Sequence, residues 1–139
     1  MMRFTTDRRH EAGSMLPMFG ALVFTSFVMV ALVVELALLG SAYRSAAAAA
    51  DAAAEAGAAM LAEDRAYAGE LAVDVVRARD ESTVVGTALA RGGAVVDVDA
   101  TALEVCVTVR DRYLPATLGF LGASGIDVVV STCAEPRAG

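Results

Sequence analysis

The most reactive side chains in this sequence are two cysteines, Cys106 and Cys133, and a single histidine, His10. A Ser-His-Asp or Cys-His catalytic set needs a histidine beside the nucleophile, and His10 lies in a separate segment near the start of the chain. The sequence has no phosphate-binding loop and no dinucleotide fingerprint. Adjacent acids such as Glu63 and Asp64 are typical of solvated helix ends. We therefore predict that the protein is not an enzyme and has no catalytic, cofactor-binding or metal site.

The two cysteines instead suggest a covalent cross-link. Both lie in segments with the alternation of β-strands, and a pair of cysteines outside the cytoplasm commonly forms a disulfide. Closing a loop of about 27 residues would stabilise a small domain by a few kcal/mol. Two reduced, buried thiols are the alternative. The pair Cys106 and Cys133 is thus a candidate disulfide.

Three segments near the C-terminus predict strands, because apolar and polar residues alternate and β-branched residues are frequent. They are residues 94–100, 102–111 and 126–136. The first two are joined tightly around Asp99–Thr101. In the second, Leu103, Val105, Val107 and Val109 are predicted to share one face.

Helical patterns precede these strands. Residues 67–80 carry apolar side chains at helical spacing and predict one helix. Residues 82–93 predict a further, shorter helix that begins at Ser82 and stops at two glycines. We predict an α+β domain over residues 67–139, in which short helices pack on one face of an antiparallel sheet of about three strands.

The N-terminal part contains a long uncharged segment, Ser14 to Val34, of 21 residues. A helix needs roughly 20 apolar residues to cross a bilayer, whereas the apolar core of a cleaved signal has about 7–15. We predict a retained transmembrane helix over residues 14–39. The alternative is a secreted soluble domain that starts near Tyr43. Arginines in the leader, residues 1–13, place the N-terminus in the cytoplasm and the C-terminal domain outside.

Charge is distributed unevenly along the chain. Residues 41–139 hold 14 acids and 8 arginines, a balance that argues against binding to nucleic acid. One further acid, Glu35, lies near the end of the apolar segment. It could reach water at the outer membrane interface, or it could pair with a cation of a neighbouring subunit.

An Ala-rich helical extension, residues 40–66, follows the predicted membrane helix. Small side chains on one helix face allow another helix to approach closely, so Ala46, Ala50, Ala53 and Gly57 form a candidate helix-packing surface. The alternative is a solvated helix whose alanines have no packing role.

The leader, the apolar segment with Glu35 and the Ala-rich extension together resemble the TadE/TadG-like minor pilins of tight-adherence (Flp-type) pilus systems. The resemblance covers residues 11–62 and rests on "EAGSMLPMFGAL", on the acid at position 35 and on "AAADAAAEAGAA" from Ala48 to Ala59. It implies a leader cut between Gly13 and Ser14 by a prepilin peptidase. Met18 departs from the pattern, because pilin-like substrates usually carry glutamate there, although TadG-like members can lack it.

The resemblance implies a structural subunit of the bacterial inner membrane, with membrane lipid, other pilin-like subunits and pilus assembly proteins as partners. Such a subunit acts by helix packing in the membrane and the fibre. The alternative is a single-pass envelope protein whose exterior domain binds an unrelated partner.

Overall fold

The computed structural model describes residues 15–117, 119 and 122–137, and it has an α+β fold. A long N-terminal helix is followed by two shorter helices and three strands. In chain order the elements are α1 (Met15–Ala58), α2 (Glu63–Tyr67), α3 (Val75–Leu89), β1 (Val95–Ala100), β2 (Val105–Tyr113) and β3 (Ile126–Ala134). This confirms the predicted fold class.

The three strands form one antiparallel sheet in the order β1-β2-β3. The central strand, β2, buries Val105, Val107 and Val109 completely. Alternate residues of a strand point to opposite faces, so these three valines form the inner face that the sequence predicted. Leu103 was predicted to join them, but it precedes β2 and is 73% exposed.

The turn between β1 and β2 explains why β2 begins later than predicted. The Thr101 hydroxyl accepts hydrogen bonds from the backbone N–H groups of Leu103 and Glu104, at 3.3 and 3.1 Å. The N–H of Thr101 donates in turn to the carbonyl oxygen of Glu104, at 2.9 Å. This side chain therefore holds residues 101–104 in the turn, and the strand can begin only at Val105.

Helix α1 is continuous over 44 residues, about 66 Å at the usual rise. It runs through Gly40 without interruption but ends at Ala58, short of the predicted end of the Ala-rich extension at Ala66. Beyond the helix, the N–H of Asp74 donates to the carbonyl of Met60 and the N–H of Ala62 to that of Ala72. Pairing with residues 72–74 thus replaces the helical bonds that alanine propensity favoured.

Helix α3 replaces the two helices predicted over residues 67–80 and 82–93. It begins only at Val75, where the carboxylate of Asp74 accepts from the N–H groups of Val76 and Arg77, both at 3.2 Å. Ser82 was predicted to cap a helix, but it lies inside α3 and is fully buried. Asp74, a residue type that also favours this position, caps the helix instead.

The core lies between the second half of α1, helix α3 and the inner face of the sheet. Its α1 contribution is almost entirely alanine, so the backbones approach closely. The hydroxyl of Ser82 donates to the carbonyl of Ala53 across the α1–α3 contact, at 2.9 Å. A Cβ added to Gly86 would lie 2.9 Å from a Val96 methyl and 3.4 Å from the Ala53 Cβ. The helix-packing surface of α1 therefore contacts the chain's own α3 and sheet.

Candidate functional site

The first half of α1, residues 15–34, exposes large apolar side chains such as Phe24 and Phe27. One helix near the N-terminus is long and apolar enough to cross a membrane, and very little of its apolar part is buried within the chain. The hydroxyls of Thr25 and Ser26 donate to carbonyls of the preceding turn, at 2.8 and 2.9 Å. Their polar groups are thereby satisfied within the helix, as a hydrocarbon environment demands.

Glu35 marks the point where exposure of α1 gives way to burial. Glu35 is only 6% exposed to solvent. The expectation that this carboxylate reaches water is therefore wrong. Burying an ionised carboxylate is costly unless hydrogen-bond donors replace the lost water, so its partners decide whether the arrangement is stable.

Four donors from the end of β2 and the following loop surround this carboxylate, and we call the arrangement the Glu35 contact. The Tyr113 hydroxyl donates to Oε1 at 2.5 Å, and the backbone N–H of Ala116 donates to the same oxygen at 2.9 Å. The N–H of Thr117 donates to Oε2 at 2.8 Å, and the Thr117 hydroxyl donates to it as well. Both oxygens thus have partners within the chain.

The donors of the Glu35 contact are neutral, and within the described part of the chain no arginine forms a salt bridge with Glu35. The hydrogen bond to Glu35 raises the pKa of Tyr113, and burial adds to that shift. The phenol therefore stays protonated as a donor. Pairing of Glu35 with a cation of another subunit stays a prediction, since a single chain does not test it.

The Glu35 contact joins residues that are 78 to 82 positions apart in the sequence. It fixes the loop after β2 to α1 at the boundary between the exposed apolar half and the domain. The sequence indicated Glu35 but not its partners. A tyrosine followed four residues later by a threonine, in "YLPAT", is too common a pattern to reveal them.

Cys106 and Cys133 face each other in the register of β2 and β3 and form a disulfide. Ligand atoms of these two residues and of Glu104 lie within 4.8 Å of one another, which is close enough for a metal site. Metals bind cysteine as the thiolate, however, and a disulfide has none. These sulfurs therefore serve as a cross-link.

The remaining candidate residues fall into two groups. Gly13 and Ser14, the predicted cleavage position, lie outside the described residues. The predicted helix-packing surface is buried inside the chain's own domain, with Ala50 and Ala53 both at 0% exposure. The partner that these small residues accommodate includes α3 of the same molecule, so they are not free to receive another subunit in this arrangement.

Comparison with known proteins gives no family for this chain. No family model matches it, and neither a curated protein nor a solved structure shows significant similarity. The functional argument therefore rests on the residues and geometry described above.

Proposed function

We propose that this protein is a structural and assembly subunit, resembling a minor pilin, of a tight-adherence type IV pilus or a related secretion apparatus. In this proposal α1 crosses the bacterial inner membrane with its N-terminus in the cytoplasm. The α+β domain lies outside, and neighbouring pilin-like subunits or pilus assembly proteins contact the protein through its apolar helix.

The observation that carries this proposal is the form of α1. Its first half presents apolar side chains in every direction, whereas its second half is the central helix of the domain core. No linker separates the two halves, and the Glu35 contact fixes the domain at their junction. A protein that only needed an anchor would require no fixed geometry between anchor and domain. A subunit that assembles by packing its apolar helix does require it, since helix packing then sets the position of the domain.

The apolar half also needs a partner for energetic reasons. Apolar surface costs about 25 cal/mol for each Å² left in water, and side chains such as Phe27 are 73% exposed in the isolated chain. Lipid removes this cost first, and neighbouring apolar helices can replace lipid during assembly. The same half of the helix thus serves both in the membrane and in a fibre.

The first test is the N-terminal sequence and intact mass of the protein from its native membrane. We expect a chain that starts at Ser14. Gly13→Leu should prevent this processing, because pilin-type peptidases act after a small residue. Gly20→Leu is the matched control, since a side chain at Gly20 meets nothing within 4 Å.

Recovery of the protein is the second part of this test. A subunit should appear in sheared fibres or in a large membrane complex. A chain that starts at Met1 or Met2, and that is recovered only as an isolated membrane protein after cross-linking, would refute the proposal. It would support instead a single-pass envelope protein whose exterior domain binds an unrelated partner.

A further inference from the structure

Strand β3 forms an edge of the sheet. It pairs with β2 on one side, and within the described residues no strand pairs with its other side. Proteins usually protect such edges with short strands, proline or lysine. Strand β3 has nine residues, no proline and a single charged side chain, Asp127. Its outer edge therefore retains unprotected backbone donors and acceptors.

Two clefts lie between β3 and α1, one near each end of the strand. The cleft near the Glu35 contact is lined by Leu36, Leu39 and Tyr43 from α1 and by Val128 and Val129 from β3. At the other end, Ala48 and Ala52 are among the α1 residues that line a cleft of about 640 Å³. We call the two clefts together the α1–β3 groove.

The two ends of the α1–β3 groove differ in charge. The end near the Glu35 contact is mainly apolar, with Asp127 its single acid. The opposite end carries four acids, namely Asp51, Glu55, Glu104 and Glu135, and one arginine, Arg137. An occupant that matched both ends would be apolar at one end and positively charged at the other.

We propose that the α1–β3 groove binds an extended segment of another polypeptide, which adds a fourth strand to β3. Backbone hydrogen bonds to the free edge would supply affinity, and the groove would select the side chains, as in other cases of strand addition beside a helix. The segment carries apolar residues near the Glu35 contact and arginine or lysine residues at the acidic end. This proposal does not depend on the pilus function, because the groove belongs to the domain in either interpretation.

A second copy of β3 is a poor occupant when the protein is in a membrane. Parallel pairing would bring the acidic ends of the two grooves together, which is unfavourable, and antiparallel pairing conflicts with the direction of α1. β3 follows α1 in the same direction, since residues 127–129 lie beside 36–43 and residues 132–135 lie beside 48–55. Antiparallel pairing of two β3 strands would require two α1 helices that point in opposite directions. Two chains anchored in the same orientation in one bilayer cannot meet that requirement.

The test uses the full chain in lipid nanodiscs and fluorescent peptides of about ten residues, the length of a typical long strand. The peptides alternate valine and threonine and carry a pair of arginines at one end or the other, because a strand can add in either direction. A third peptide carries glutamates instead of arginines. We expect the fluorescence anisotropy of one arginine peptide to rise on binding. The glutamate peptide should bind at least about tenfold more weakly.

Two further measurements locate the bound peptide. Hydrogen exchange should slow at backbone amides of β3 and not at those of β1. Reversing two groove acids, in the double variant Glu55→Arg with Glu135→Arg, should weaken binding about tenfold or more. The matched control reverses two exposed acids outside the groove, Glu70→Arg with Glu81→Arg, and should leave binding unchanged.

Three outcomes would overturn the proposal. The first is that neither arginine peptide binds at about 1 mM, the weak end of measurable affinity. The second is binding that both double variants weaken equally, or that protects β1 in place of β3. The third is that, in the absence of peptide, the hydrogen-exchange protection of β3 increases with protein concentration. That result would assign the edge to self-association.

Discussion

Gly57→Ala tests whether the small-residue face of α1 packs within the chain or against another subunit. A Cβ at this position would lie 2.1 Å from the Ser82 Oγ, 3.0 Å from a Val105 methyl and 3.2 Å from the Ala78 carbonyl oxygen. The nearest of these distances is far too short, so Ser82 must rotate and break its hydrogen bond to Ala53. The variant therefore disturbs a contact that exists inside one molecule.

The expected size of the effect follows from three contributions. Loss of the hydrogen bond costs about 0.5–1.5 kcal/mol, and overpacking of the α1–α3 contact costs about 1–3 kcal/mol. Alanine in place of glycine in a helix returns at most about 1 kcal/mol. With the full return subtracted, we expect Gly57→Ala to lower the free energy of unfolding by about 0.5–3.5 kcal/mol. In a Ser82→Ala background the clash with Oγ disappears, and the cost should fall by about 1–2 kcal/mol.

The assay is urea denaturation of the full chain in detergent micelles, followed by far-UV circular dichroism at a protein concentration where the chain is monomeric. Gly40→Ala is the matched control, because it also lies in α1 but an added Cβ there meets nothing within 4 Å. That control should raise stability, by at most about 1 kcal/mol.

The opposite result would refute the packing described here. If Gly57→Ala stabilised the monomer as Gly40→Ala does, and if Ser82→Ala left its effect unchanged, the face around Gly57 would not contact α3. The interpretation of this face as a surface for another subunit would then be restored.

Three further outcomes are expected from the same structure. Glu35→Gln removes an acceptor oxygen from the Glu35 contact. The backbone amide of Thr117 should therefore lose protection in hydrogen exchange, while the amides of the sheet keep theirs. Unchanged protection of Thr117 would contradict the contact. The pKa of Tyr113 is raised in the folded state, so its contribution to stability is complete below the ordinary value near 10 and is lost as pH rises through the folded pKa. Tyr113→Phe should therefore lose less stability at alkaline pH than the original chain, as measured by urea midpoints over a pH series. Identical series for the variant and the original chain would contradict this expectation. The disulfide between Cys106 and Cys133 closes a separation of 27 residues, so its reduction should lower the free energy of unfolding by about 3.5 kcal/mol, which urea midpoints with and without a reductant will measure.

Local patterns predicted the parts of the fold that depend on neighbouring residues. An uncharged run from Ser14 to Val34 predicts a membrane-length helix, and alternation of valines predicts the strands and the buried face of β2. The cysteines form a candidate disulfide because both lie on predicted strands and a pair outside the cytoplasm commonly cross-links. For the helix and the strands, the sequence pattern and the structural feature it predicts involve the same neighbouring residues.

Contacts between distant segments were not predictable in the same way. Alanine propensity favoured a helix to Ala66, but pairing of residues 60–62 with 72–74 ends α1 at Ala58. Ser82 has the chemistry of a helix cap, yet its partner is a carbonyl 29 residues away. Glu35 is an unusual acid for an apolar segment, but its donors belong to Tyr113 and to residues 116–117, which only the folded sheet brings to α1. The sequence identifies such polar residues, and the tertiary structure assigns their partners.

The absence of a linker in α1 has a mechanical consequence. In the proposed membrane arrangement, the helix from Glu35 to Ala58 extends about 36 Å into the domain and acts as a lever arm whose pivot lies at the bilayer surface. A tilt of about 10° at that pivot would displace the far end by about 6 Å, at this length of helix. Since membranes of different thickness impose different tilts on a spanning helix, lipid composition alone would shift the acidic end of the α1–β3 groove sideways.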